Sequence, residues 1–125
     1  MPSTGVLAGR RILVVEDEAL IGLWIAEILE ASGALAIGPA GSAAEALALI
    51  ERESVDGAVL DYKMPDGTTE PVADLLAARG VPFVFATGYY QGALAAAHAN
   101  RPRLDKTFAA EELLAAITSV LRHRR

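Results

Sequence analysis

Cysteine is absent from the chain, and histidine occurs only at His98 and His123. A disulfide framework and a thiolate metal site are therefore excluded, and a histidine-rich zinc site is not expected. Positive charge is also scarce, with 11 Lys and Arg against 16 Asp and Glu and a formal net charge of −5. Because sequence-independent DNA binding needs a basic face, we expect no nucleic-acid partner.

Long uninterrupted apolar runs are lacking as well. The first run, Ile12–Val15, is followed at once by three acidic residues, so it cannot be the apolar core of a secretory signal. Residues 80–100 carry no Asp, Glu, Lys or Arg, but Pro82 and several glycines interrupt them and they break at Thr87-Gly88. This pattern argues against a bilayer span. We expect a cytoplasmic protein with no membrane contact.

The length of the chain sets the number of domains. With 125 residues, 53% of them hydrophobic, it can form one domain with its own core. We interpret 1–125 as a single domain with a core at about 11–121, an N-terminal lead at 1–10 and a basic helix end at 122–125. Met1 and the arginine-rich end suggest a complete gene product.

Short apolar runs alternate with helical patterns along the chain. The runs predict five strands, near Ile12–Val15, Leu35–Ile37, Ala58–Leu60, Phe83–Ala86 and Arg103–Asp105. The first helical pattern has apolar residues at Leu20, Ile21, Trp24, Ile25, Ile28 and Leu29, and Gly33 follows to end it. Four more helices are predicted at about Ser42–Glu51, from Thr68 or Thr69 to Ala78, at Gln91–Ala99 and at Phe108–His123. Strict alternation implies a doubly wound five-stranded parallel sheet with helices on both faces.

In such a sheet, ligands bind beyond the carboxyl ends of the strands. The residues found there are Glu16 and Asp17 after strand one, Asp61 after strand three, Thr87 after strand four and Lys106 after strand five. Three carboxylates at one edge repel one another unless a cation lies among them. Oxygen ligands without histidine or cysteine favour Mg²⁺ over zinc. Thr87 and Lys106 would complete a phosphoryl site in which Asp61 acts as the nucleophile.

Each of these features has a simpler interpretation when it is taken alone. An acidic pair after a strand commonly marks a helix N-terminus, and a lone aspartate such as Asp61 commonly forms a turn. Thr87-Gly88 can be a strand exit, and Lys106 can be a solvated side chain. Their joint occurrence at the same ends of the right strands favours the phosphoryl site.

Four segments together resemble the receiver domain of two-component response regulators. They are Arg11–Glu18, Val59–Gly67, Val81–Gly88 and Lys106. The resemblance runs from about Arg11 to Leu121, and it implies a flavodoxin-like sheet in the strand order 2-1-3-4-5 with five helices. The run Phe85–Tyr89 further resembles the FATGUY class of single-domain receivers.

The resemblance implies a role for each candidate residue. Asp61 would accept the phosphoryl group, and Thr87 and Lys106 would bind the phosphoryl oxygens. The Mg²⁺ ligands would be Asp17 and Asp61 directly, Glu16 through water, and the backbone carbonyl of Lys63. The donor would be a phosphohistidine on a sensor histidine kinase, of HWE type if the FATGUY resemblance holds. The chain would catalyse only its own phosphorylation and dephosphorylation, and would signal by contact with a downstream protein or act as a phosphate sink.

Two positions depart from the family pattern. Thr107 follows Lys106 where receivers usually have proline, and because a cis bond before a non-proline residue is costly, we expect a trans bond there. Arg103 stands where receivers usually carry the aromatic residue of the switch. A guanidinium cannot be buried as an aromatic ring can, so the usual coupling between the threonine and a ring is not expected here. Tyr89 or Tyr90 is either a substitute for that ring or a packed surface tyrosine.

Three other functions stay open on the sequence alone. A degenerate receiver would act only as a protein-binding module. A haloacid-dehalogenase-like phosphatase would use a similar aspartate, but it needs a second aspartate where Lys63 stands. A flavodoxin-like ligand binder would need glycine-rich phosphate loops, and the sequence has none of that kind.

Overall fold

The computed structural model describes residues 5–87, 101–105 and 107–122. The strands in these ranges are β1 (Arg11–Val15), β2 (Leu35–Ala40), β3 (Gly57–Leu60), β4 (Lys63–Met64), β5 (Gly67–Thr68), β6 (Phe83–Thr87) and β7 (Arg103–Asp105). The helices are α1 (Ala19–Ala31), α2 (Ala43–Arg52), α3 (Glu70–Ala78) and α4 (Ala110–Arg122). The predicted helix Gln91–Ala99, the side chain of Thr87 and the whole of Lys106 lie outside the described residues.

Five of the strands form one parallel sheet in the order β2-β1-β3-β6-β7. This order confirms the predicted doubly wound, flavodoxin-like fold. β4 and β5 form a separate two-residue antiparallel hairpin, in which Lys63 pairs with Thr68 and Met64 with Gly67. The sequence interpretation did not include this hairpin, which follows directly after β3.

The core has two layers because successive residues of a strand point to opposite faces of the sheet. On one face, Leu13 and Val15 of β1 join a cluster with the inner sides of α2 and α3. On the other face, Ile12 and Val14 join a cluster with α1 and α4. Burial on both faces explains why β1 reads as an unbroken apolar run rather than as an alternating one.

The helix ends follow the predicted local signals. Gly33 has φ 95° just after α1, a conformation that favours glycine. The hydroxyl oxygen of Ser42 accepts a hydrogen bond from the N–H of Glu45 at 3.1 Å, so Ser42 caps α2 as expected. Pro71 lies in the first turn of α3, where its missing N–H costs no hydrogen bond.

The apolar pattern of α1 is only partly buried. Ile25, Ile28 and Leu29 belong to the core, but Leu20 is 83% exposed, Leu23 54% and Trp24 38%. The ring of Trp24 stacks on Phe108, with centroids 5.2 Å apart and an interplanar angle of 19°. Every helix among the described residues is too short or too polar to cross a bilayer.

The N-terminal lead contributes to the core as well. Leu7 is buried and belongs to the cluster between the sheet, α1 and α4. The sequence interpretation began the core at about residue 11, because an isolated leucine before the first strand carries no periodic signal.

Candidate functional site

Three acidic side chains meet at the carboxyl edge of the sheet. Glu16 and Asp17 come directly after β1, and Asp61 comes directly after β3. β1 and β3 are neighbours, with Val15 paired to Leu60, so their next residues lie side by side. One carboxylate oxygen from each acidic residue lies within 4.8 Å of the others. The structure thus brings together the three carboxylates that the sequence singled out.

Backbone hydrogen bonds of the sheet hold two of these residues in place. The N–H of Glu16 donates to the carbonyl of Ala40 at 2.9 Å, and the N–H of Asp61 donates to the carbonyl of Val15 at 2.9 Å. The ladder therefore continues one residue beyond the strands. Glu16 and Asp61 are fixed by the sheet rather than by a loop.

The cluster combines buried and exposed acidic groups. Glu16 and Asp61 are each 3% exposed, whereas Asp17 is open to solvent. Two neighbouring buried carboxylates repel each other strongly, and a divalent cation among them offsets that repulsion. The donor atoms are all carboxylate oxygens, which suit Mg²⁺. The three residues therefore fit the ion that the resemblance implies, and exposed Asp17 leaves one side accessible.

Hydrogen bonds from neighbouring backbone groups orient the carboxylates. Oε2 of Glu16 accepts a hydrogen bond from the N–H of Glu18 at 3.0 Å. Oδ1 of Asp61 accepts one from the N–H of Tyr62 at 2.7 Å. One oxygen of the Asp61 carboxylate is thus bound by the first residue of the loop that follows it.

Thr69 closes the base of that loop. Its hydroxyl donates to the carbonyl of Asp61 at 2.6 Å, and its N–H donates to the carbonyl of Tyr62 at 2.9 Å. Thr69 is completely buried. Sequence reasoning missed this residue, although the turn sequence Pro65-Asp66-Gly67 is a signal for the hairpin that it closes.

Tyr62 links the same loop to α3. Its hydroxyl donates to Oε2 of Glu70 at 2.7 Å, and its ring meets the edge of Phe85 with centroids 6.4 Å apart. The hydrogen bond to Glu70 raises the pKa of Tyr62 above its ordinary 10.0, and burial and the Glu70 charge act in the same direction. The tyrosine is therefore held on both its ring and its hydroxyl.

The other predicted site residues are described only in part. Lys63 lies in β4, two residues after Asp61, with an exposed side chain. Thr87 is the last residue of β6, and its backbone is paired with Asp105 of β7. Its side chain lies outside the described residues, as do Lys106, the Lys106–Thr107 bond, Tyr89 and Tyr90.

Arg103 is exposed in β7, opposite Phe85 of β6. This position is the one that receivers usually give to the aromatic residue of the switch. The exposed side chain agrees with the expectation that a guanidinium is not buried there as a ring would be.

Comparison with known proteins gives the family. The sequence matches the family described as response regulator receiver domain over residues 12–118. Among curated proteins it is similar to the transcriptional regulatory protein PdtaR of Mycobacterium tuberculosis, with 38% identity over 84 residues. These residues cover 66% of this chain but only 40% of PdtaR. The chain thus spans well under half the length of this relative.

Solved structures resemble this one over nearly its whole length. SdrG from Sphingomonas melonis Fr1 has a TM-score of 0.79 and 36% identity, covering 91% of this chain and 97% of SdrG. The BeF3-activated conformation of SdrG, from Pseudomonas melonis Fr1, has a TM-score of 0.71 and 39% identity, covering 87% and 96%. A CheY-like receiver domain protein from Methanospirillum hungatei JF-1 has a TM-score of 0.82 and 29% identity, covering 93% and 96%. With the family match across most of the sequence, the predicted sheet order and the acidic cluster at its edge, the chain belongs to the response regulator receiver domains.

Proposed function

We propose that the chain accepts a phosphoryl group on Asp61 from a phosphohistidine of a sensor histidine kinase, in a reaction that depends on Mg²⁺. The observation that carries this proposal is the meeting of Asp61 with Glu16 and Asp17 within 4.8 Å at the carboxyl edge of the sheet. Beyond that step, the protein acts by contact with a partner or by removing phosphate from the kinase. It turns over no separate substrate.

Asp61 is the nucleophile in this reaction. A carboxylate oxygen of Asp61 forms a bond to phosphorus while the P–N bond of the donor breaks, and the electron pair returns to the imidazole nitrogen. The N–H of Tyr62 holds Oδ1 at 2.7 Å, so the carboxylate does not have to be oriented during the reaction. The hydrogen bond from Thr69 to the Asp61 carbonyl fixes the backbone on the other side.

The metal site consists of Glu16, Asp17 and Asp61, with the backbone carbonyl of Lys63 as the further ligand that the family implies. When bound, Mg²⁺ would neutralise the charge on the phosphoryl oxygens and on the acidic cluster. Thr87 and Lys106 are proposed to hold the remaining phosphoryl oxygens. The backbone of Thr87 at the end of β6, paired to Asp105, supports this assignment, because the residue after Asp105 is Lys106.

The donor protein is proposed to cover the exposed side of α1. Leu20, Leu23 and Trp24 have the spacing of one helix face, and all three are exposed. α1 begins at Ala19, directly after the acidic residues, so this face lies beside the site to which a donor must bring its phosphohistidine. The FATGUY resemblance suggests that the donor is an HWE-type kinase.

Phosphotransfer to matched variants tests the proposal. Wild type, Asp61→Asn and Asp74→Asn are incubated with radiolabelled phosphorylated kinase, with and without EDTA. Asp74 lies on the exposed side of α3, so its variant controls for loss of an acidic residue. We expect label on wild type and on Asp74→Asn only when Mg²⁺ is present, and none on Asp61→Asn. Equal labelling of Asp61→Asn would overturn the assignment.

Beryllofluoride gives a second test that needs no kinase. The solved BeF3-activated conformation of SdrG concerns a relative with 39% identity, and we propose the same response here. NMR spectra of this chain should change when beryllofluoride is added with Mg²⁺, and those of Asp61→Asn should not. A wild-type spectrum that stays unchanged would favour a degenerate receiver that only binds proteins.

A further inference from the structure

Asp66 connects the hairpin after the acceptor residue to a different helix. It lies between β4 and β5, at the tip of the hairpin. Its Oδ1 accepts a hydrogen bond from the N–H of Ala43 at 3.0 Å, and its Oδ2 accepts one from the N–H of Ala44 at 3.1 Å. Both bonds lower the pKa of Asp66 from its ordinary 3.8. The carboxylate thus caps the first two amides of α2 from a position 22 to 23 residues later in the chain.

The same helix end also has a local cap. Ser42 accepts a hydrogen bond from the N–H of Glu45, and Oε1 of Glu45 accepts one from the N–H of Gly41 at 2.8 Å. Ser42 and Asp66 thus satisfy different amides of one helix terminus. The two caps belong to different segments: Ser42 is the residue directly before α2, whereas Asp66 lies in the hairpin between β4 and β5.

The hairpin is held at both ends as a result. At its base, Thr69 binds the carbonyls of Asp61 and Tyr62. At its tip, Asp66 binds α2. The N–H of Tyr62, which donates to Asp61 Oδ1, belongs to the peptide group whose carbonyl Thr69 binds, and the backbone of Lys63 lies between the two anchors.

We propose that Asp66 is a positioning residue for the acceptor site. Its two hydrogen bonds to α2 hold the backbone of Tyr62 and Lys63 in the place that Asp61 and its metal ion require. This inference rests on the function proposed above. Because coupling between two sites is reciprocal, ion binding at the acidic cluster should also strengthen the contact between Asp66 and α2.

The experiment compares Asp66→Ala with Ser42→Ala. Both variants remove a cap from the same helix end, but only the first releases the hairpin. Mg²⁺ affinity is measured by isothermal titration calorimetry, and stability by urea unfolding. We expect both to lower stability, whereas the Kd for Mg²⁺ rises about 10-fold in Asp66→Ala and stays near the wild-type value in Ser42→Ala. Equal Kd values in the two variants would overturn the inference.

Asp66→Asn separates hydrogen bonding from charge. The asparagine keeps one acceptor for α2 but carries no negative charge, so it should restore part of the lost affinity. At about 1 M salt, charges more than about 3 Å apart are screened. Suppose that Asp66→Asn binds Mg²⁺ as weakly as Asp66→Ala, and that both variants bind it as well as wild type at this salt concentration. Asp66 would then act only through its charge. That outcome would also refute a positioning role.

Hydrogen exchange in metal-free protein decides the inference independently of the function. The amide of Tyr62 should exchange at least about threefold faster in Asp66→Ala than in wild type, and at the wild-type rate in Ser42→Ala. A wild-type protein that takes up no Mg²⁺ would overturn the proposed function. Unchanged exchange at Tyr62 in Asp66→Ala would overturn the positioning role, whatever the metal result.

Discussion

The N-termini of α1 and α2 are built differently, although both helices follow strands of the same sheet. α2 begins with Ser42, Glu45 and Asp66 all bound to backbone amides. α1 follows Glu18, whose N–H donates to the acidic cluster through Glu16 Oε2, and its first turn is the apolar sequence 19–22. The N-terminus of α2 is polar and is bound to the hairpin after Asp61, whereas the first turn of α1 is apolar and begins with two exposed residues.

This difference suggests a division of labour around Asp61. The side with α2 and the hairpin orients the Asp61 carboxylate through hydrogen bonds within the chain. On the side of α1, Leu20 and Leu23 are exposed to solvent. Exposed apolar surface is unfavourable in an isolated domain, and covering it with another protein is favourable.

The largest effect is expected from Thr69→Val on the anchored side. Valine keeps the shape but removes the hydroxyl that donates to the Asp61 carbonyl in a fully buried position. Losing a buried hydrogen bond should lower the free energy of unfolding by about 1–3 kcal/mol, measured by urea denaturation. Thr68→Val is the control, because the Thr68 hydroxyl oxygen accepts a longer and only partly buried hydrogen bond, from the N–H of Glu70 at 3.3 Å. Similar losses in both variants would contradict the role of Thr69.

On the exposed side, the double variant Leu20→Ser/Leu23→Ser should change stability little, because Leu20 is mostly exposed and Leu23 about half exposed. Phosphotransfer from the kinase should fall about tenfold in kcat/KM, while labelling by acetyl phosphate stays at the wild-type level. Leu35→Ser is the matched control. Leu35 is 49% exposed at the start of β2, and strand starts lie at the edge of the sheet opposite the acidic cluster. An equal loss with both donors would show that α1 does not form the donor contact.

The seating of α1 on the sheet is tested by Gly22→Ala. A Cβ at residue 22 would come within 2.9 Å of the ring of Pro39. Overpacking outweighs the gain in helix propensity, so the unfolding free energy should fall by about 1 kcal/mol. Gly41→Ala should be close to neutral, because a Cβ there meets only Glu45 Oε1 at 3.6 Å. Thermal unfolding of both variants measures the difference, and a stabilised Gly22→Ala would show that Pro39 can move aside.

The smallest effect concerns the titration of Tyr62. Its pKa in the folded protein lies above 10.0 because of its hydrogen bond to Glu70. The stability that this contact provides is therefore fully present below pH 10 and is lost as pH rises through the folded-state pKa. In Glu70→Gln, the absorbance change that marks ionisation of Tyr62 should occur at lower pH. The variant Tyr62→Phe shows which part of the total tyrosinate absorbance belongs to Tyr62. A titration curve that does not move would mean that Glu70 does not control this hydroxyl.

The fold and the acidic cluster were predictable because their signals are local in the sequence. Strands that are buried on both faces must be apolar throughout, as in Ile12–Val15. The end of such a strand is recognisable in the sequence because acidic residues follow it, as Glu16 and Asp17 do here. β2 was predicted only to Ile37, because Gly38 and Pro39 normally end a strand. Here the pairing shifts between Leu13 and Val15, and the strand continues to Ala40.

Contacts between distant segments were not predictable in the same way. The capping of α2 by Asp66 joins residues 22 to 23 positions apart, and an aspartate in a turn gives no sign of which helix it will reach. Helical periodicity likewise marked Leu20 and Trp24 as apolar positions of α1. It could not show that Leu20 stays 83% exposed while Trp24 packs on Phe108, because both outcomes depend on which distant residues reach α1.

The stacking of Trp24 on Phe108 has a practical consequence, because the sequence contains one tryptophan. Phe108 follows β7 closely, and its N–H donates to the carbonyl of Asp105 at 3.0 Å. The indole of Trp24 therefore joins α1 to the segment between β7 and α4. The intrinsic fluorescence of Trp24 should therefore report on changes in this contact when ligands or partners are added to unlabelled protein.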